Sequence, residues 1–121
     1  MEPTEYFDQK QISHTVKRLL DEAKLERGEQ RAHTRQPFFG PVTIVVQENG
    51  QQRNFSCFSR DISPSGMGLL HNMPLKLGRV TLVIPRESAG IHLQSEIMWC
   101  QPCGEGWYLS GASFLAVSPP H

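Results

Sequence analysis

A chain of 121 residues with 12 basic and 12 acidic side chains has room for one domain and an appendage. Its formal charge of zero excludes the global basic bias of proteins that hold duplex nucleic acid by neutralising phosphates. Three cysteines, an odd number, read as reduced thiols and not as a disulfide framework.

The first residues, Met1-Glu-Pro-Thr-Glu5, are acidic and polar. With no basic stretch leading into an apolar one, no export signal is expected, and together with the thiols this points to the cytoplasm. No apolar run reaches membrane-spanning length, so no membrane insertion is expected. Asp8 is placed to cap a helix, with Gln11 at the capping-box position and Phe7 packing on Ile12. The helix is expected to run to about Gly28, giving an N-terminal helical extension over residues 1–30. Ile12, Val16, Leu19, Leu20 and Ala23 form one apolar stripe along it. That stripe needs a partner: the barrel of its own chain, a second copy in a homodimer, or another protein. Residues 1–30 hold five basic and seven acidic side chains, net −2, which leaves +2 for the remainder. That local excess includes Arg31, Arg35, Arg53 and Arg60, enough for a small dianion but thin for a duplex.

Residues 28–39 read as a linker, because Gly28 ends the helix and the residue before Pro37 is pushed toward extended geometry. The linker carries Arg31-Ala-His-Thr-Arg35. A separation of four puts both guanidinium groups on one side of the chain, extended or helical, so that they can clamp one dianion. Standing alone, the pair would be two solvated surface arginines.

From Gly40 the apolar period becomes two. Val42, Ile44 and Val46 alternate in a strand that the turn Asn49-Gly50 folds into another around Asn54 to Phe58. Short strands are expected at Gly66 to Leu70 and Val80 to Ile84. A long one follows from Ile91 to near Pro102, and after the turn Gly104-Glu105-Gly106 a last one runs from Trp107 to about Ala116. Trp99 and Trp107 flank that final hairpin and are expected to pack the barrel or its rim. The fold class is mainly β: six strands with short turns make a small antiparallel barrel, over residues 31–117, behind an N-terminal α-helix.

Within it stands Asp61-Ile-Ser-Pro-Ser-Gly66. Asp61 and Ser63 are two apart, so a carboxylate and a hydroxyl share one side of an extended stretch, and Pro64 and Gly66 then turn the chain or let another backbone approach closely. A carboxylate accepts from the N1 and N2 hydrogens of guanine, and arginine suits phosphate and the O6/N7 edge. The two strings together therefore suggest a nucleotide receptor. Nothing forms a base–nucleophile or paired-carboxylate arrangement, so no enzyme activity and no catalytic residue are expected. Cys100-Gln-Pro-Cys103 has the spacing of metal knuckles, but it falls at a hairpin, and zinc needs two more ligands that no second paired spacing supplies. No metal and no cofactor are expected.

In Arg31-x-x-x-Arg35 followed by Asp61-x-Ser63-x-x-Gly66 the chain resembles the PilZ domain, the bacterial receptor module for cyclic di-GMP. The signature of that family is RxxxR ahead of the barrel and [D/N]xSxxG on an early strand and turn. The resemblance covers roughly residues 30 to 116, and Gly111-Ala-Ser-Phe114 is similar to the family's closing strand. It implies cyclic di-GMP as ligand, with Arg31 and Arg35 bracketing phosphate and guanine, Asp61 on a guanine edge, Ser63 on phosphate or its shell, and Gly66 making room. It also implies a protein effector downstream. Members that take a stacked ligand dimer often carry a basic residue just before RxxxR, where this chain has Gln30. Many follow the barrel with a C-terminal helix; Ser118-Pro-Pro-His121 forms none, and the N-terminal helix is expected to cover that surface. The alternatives from the residues are a ligand-independent adaptor and a single-stranded nucleic-acid barrel, the latter needing exposed aromatics among basic residues.

Overall fold

The computed structural model describes residues 12, 14–19, 36–86 and 90–118. The cap at Asp8, the helix end at Gly28, the boundary near residue 30, and Arg31 and Arg35 lie outside them. Residues 12 and 14–19 are helical (α1). Six antiparallel strands follow: β1 (Gln36–Glu48), β2 (Gln51–Ser63), β3 (Gly66–His71), β4 (Gly78–Ile84), β5 (Ile91–Gly104) and β6 (Trp107–Ser118). They form one sheet that closes into a barrel in the order β1-β2-β3-β6-β5-β4.

The strands are longer than alternation alone indicates. Residues 36–39 are strand and not linker: Gln36 pairs with Ile62 and Pro37 with Asp61, and the register slips between Pro37 and Gly40. The extended geometry that proline imposes on its predecessor is the geometry a strand needs, and the slip accommodates the missing N–H. β2 runs on to Ser63, so Asp61 and Ser63 lie on a strand paired with both β1 and β3. Asn49 and Gly50 turn the first hairpin at φ 53° and 77°, as Asn-Gly in a two-residue hairpin loop does.

Inward-facing positions build the core. Val42 and Ile44, Cys57 and Ile62, Met67 and Leu69, Leu82 and Ile84, Leu93 and Ile97, and Ala112 and Phe114 are all buried. Ile12, Val16 and Leu19 of α1 are 0%, 1% and 0% exposed and belong to the same cluster, so these three positions of the apolar stripe dock on the chain's own barrel, while Leu20 and Ala23 lie outside the described residues. Fully burying such aliphatic side chains is worth about 1.5–3 kcal/mol each. Polar groups inside are paired: the Ser59 hydroxyl donates to the Phe38 carbonyl at 2.6 Å and Ser95 to that of Leu93 at 3.0 Å. Among the described residues no buried side-chain nitrogen or oxygen lacks a partner, as a dry core requires.

The junctions of the ring are unequal. β4 and β5 share seven residue pairs, whereas β1 and β4 close the barrel through three, Thr43 with Val83, Ile44 with Leu82 and Val45 with Thr81.

Candidate functional site

Where β2, β3, β6 and β5 lie side by side, the register aligns their outward residues into rows. One row reads Asp61, Gly68, Gly111, Trp99, and the next reads Ser63, Gly66, Ser113, Glu96. Three of the central positions, Gly66, Gly68 and Gly111, carry no side chain, so β3 and β6 supply only a backbone floor there for their neighbours to lie on. Asp61 stands at one edge of it and Trp99 at the other.

Each glycine is required by contact. A Cβ on Gly68 would come within 2.7 Å of Asp61 Oδ1, and one on Gly111 would meet the indole of Trp99. The two outer side chains therefore lie down over the glycines. A Cβ on Gly66 would collide with the Ala112 carbonyl oxygen. Of the two uses open to Gly66 from sequence, close backbone approach is the one realised; it is absent from the positive-φ glycines. The Phe114 N–H donates to the Ser65 carbonyl at 2.9 Å, tying the turn after β2 to β6.

The register slip between Ser59 and Asp61 makes Arg60 an extra residue and re-aims the chain, as bulges do. It lets the Gly68 N–H donate to Asp61 Oδ1 at 3.0 Å, which holds one carboxylate oxygen against β3. Ser63 is 6% exposed; its hydroxyl accepts from the Ser65 N–H at 3.2 Å and lies 3.0 Å from the Ser65 hydroxyl. It builds the turn that presents Gly66.

Beneath the floor, His71 is buried between partners. Nδ1 donates to the Met73 carbonyl at 2.6 Å, Nε2 accepts from Ser110 at 2.7 Å, and the ring stacks on Tyr108. Burial holds its pKa below the usual value, against the opposing effect of the Met73 hydrogen bond. Cys57, on β2, is buried in the core, and burial pushes its thiol up to about 12.

The structure thus brings Asp61, Ser63 and Gly66 together on one face. Trp99 joins them, a residue that the sequence placed only on the barrel or its rim. It is 43% exposed, and the slip between Ile97 and Trp99 turns it onto Gly111. The signal that could have found it is Gly111 itself, a glycine inside a strand, which marks a close approach. A separate cleft of about 610 Å³ lies at the far end of the β1–β2 hairpin, lined by Val46, Phe55 and Leu75 among others. There Glu48 holds Arg53 at 3.0 Å and Lys76 at 3.2 Å, and these cations keep its carboxyl below the usual range. Arg53 and Asp61 are eight residues apart on β2, roughly 26 Å at strand rise, so the two regions are distinct.

The closed six-stranded barrel thus carries on its outer face a carboxylate and an indole at the two ends of one cross-strand row. Residues 29–121 match the family model of the PilZ domain, and the chain belongs to that family. PilZ domains are a family of cyclic di-GMP receptors, a binding family and not an enzyme family, and they act on protein effectors. No curated protein matches the chain. No helix among the described residues is long and apolar enough to cross a membrane.

Proposed function

We propose that this chain is a cyclic di-GMP receptor that holds the ligand against the outer face of β2, β3, β6 and β5, between Asp61 and Trp99. Asp61 accepts from the N1 and N2 hydrogens of one guanine, and Trp99 offers its face to a base from the opposite edge. Arg31 and Arg35, which precede β1 in sequence, bracket the phosphates from above, and Ser63 supports the phosphate side while shaping the turn. The observation that carries this reading is the single row Asp61, Gly68, Gly111, Trp99 in a chain that also has RxxxR immediately before the barrel.

The magnitudes suffice. Charge-assisted hydrogen bonds contribute about 1.5–3 kcal/mol each and base stacking on an aromatic about 1–3 kcal/mol, against roughly −8 kcal/mol for a micromolar complex. The output is a change of shape read by a protein partner. Arg31 and Arg35 lie between α1 and β1 in sequence, so engaging them shifts the connection between the docked helix and the barrel.

The direct test is titration calorimetry with cyclic di-GMP, with GTP as competitor control. Saturable binding that is lost in Arg35→Ala is the expected result; no heat at high micromolar ligand, with an unchanged melting temperature, removes the reading. Hydrogen exchange over residues 28–39 tests the output separately, with increased protection expected on binding.

A further inference from the structure

Toward the tip of the long β5–β6 hairpin stand two cysteines that the proposed nucleotide binding does not use. Cys100 is half-buried, Cys103 is exposed, and neither is in a disulfide. In a regular strand residues three apart point to opposite faces. Here the register slips between Pro102 and Gly104, which inserts an extra residue and breaks that alternation. Gly104, Glu105 and Gly106 then follow at φ 109°, 55° and 83°, so the chain turns back directly after Cys103. Cys103 lines an open recess with Leu70 and Trp107. Around the same arm Met98 and Trp107 are 54% and 39% exposed.

We infer that this tip is half of a thiolate site for a divalent zinc-class ion, completed by the same tip of a second copy of the chain. Cysteines with two residues between them are the usual half of a tetrahedral zinc site, which takes four ligands. Among the described residues no group of three His, Cys, Asp or Glu is placed to hold a metal, so the described part of one chain offers this pair no further ligands. Cys57, on β2 and inside the core with its thiol held protonated, does not contribute. A two-fold axis through the ion brings two pairs together, since such an interface places the same patch of both copies face to face. The four thiols each release a proton, the four sulfurs bind one ion, and the centre carries a net charge of −2. Pairing the arms also covers Met98 and Trp107. This inference is independent of the nucleotide reading and concerns different side chains.

The test is titration of the reduced, chelator-treated full chain with Co²⁺ and then Zn²⁺, with mass measured by light scattering. The expected result is a sulfur-to-cobalt charge-transfer band with tetrahedral d–d bands, bleached by zinc, at one ion per two chains, with a dimer that chelator returns to monomer. Cys103→Ser, at an exposed position, should abolish both band and dimer, and Cys100→Ser should do the same. Absence of the band, its persistence in Cys103→Ser, or one ion per monomeric chain overturns the proposal.

Discussion

Asp61 and Trp99 stand at the two ends of one cross-strand row, with Gly68 and Gly111 between them and each lying over one of those glycines. In the proposed complex the arrangement separates two kinds of recognition: the carboxylate reads hydrogen-bond donors in the plane of a base, while the indole offers a face that any base can stack on.

Trp99→Ala should therefore weaken cyclic di-GMP binding by about 1–3 kcal/mol, roughly 5- to 150-fold in Kd. Folding stability should change little, since the indole is 43% exposed. Calorimetry on Trp99→Ala beside Trp107→Ala checks this. Equal losses in both variants would refute a specific role for Trp99.

Asp61 has two duties that substitutions can divide. Asp61→Ala leaves the Gly68 N–H without its 3.0 Å acceptor and should cost about 1 kcal/mol of stability as well as binding. Asp61→Asn retains an acceptor oxygen but loses the charge that makes its bonds roughly twice as strong. The expected order of affinity is wild type, then Asn, then Ala, with urea midpoints of wild type and Asn close together. An Asn variant as unstable as Ala would show that the Gly68 bond does not fix the side chain.

Gly66→Ala places a methyl against the Ala112 carbonyl oxygen. Neither side of that contact is a flexible side-chain end, so β3 and β6 must separate. The expected loss is about 1–3 kcal/mol, the range for overpacking, measured by denaturant unfolding. Gly40→Ala, where a Cβ meets nothing within 4 Å, is the control.

Stability should depend on pH through His71. Its folded pKa is lowered from the ordinary 6.5, first by desolvation, so the native state holds it neutral while the unfolded chain takes up a proton. The contribution is present above 6.5 and is lost as pH falls from there toward the lower folded value. Urea unfolding across that window should show the decline, and His71→Gln should flatten it. An unchanged slope in the variant would assign the dependence to other groups.

Much of this was legible in the sequence because it is local. Alternation at Val42, Ile44 and Val46, the Asn49-Gly50 turn and the stripe Ile12, Val16, Leu19 each depend on near neighbours, and the structure has all of them. The spacing of Asp61 and Ser63 announced a shared face for the same reason. What was not legible depends on register between distant strands. That Gly68 receives Asp61 and Gly111 receives Trp99 follows from bulges at Arg60 and Met98, and a bulge leaves no reliable mark in composition. The extension of β1 back to Gln36 was hidden because the preference that proline imposes suits linker and strand alike.

The three-pair closure between β1 and β4 has a geometric consequence for the ring. In the order β1-β2-β3-β6-β5-β4, that closure lies diametrically across from the β3–β6 junction, where Gly68 and Gly111 meet. Partial opening follows the path of fewest cross-strand bonds, so the barrel can unclasp at its back while the four strands carrying the floor stay in register. Breathing of the fold and integrity of the proposed binding face thereby fall on opposite walls of one small cylinder.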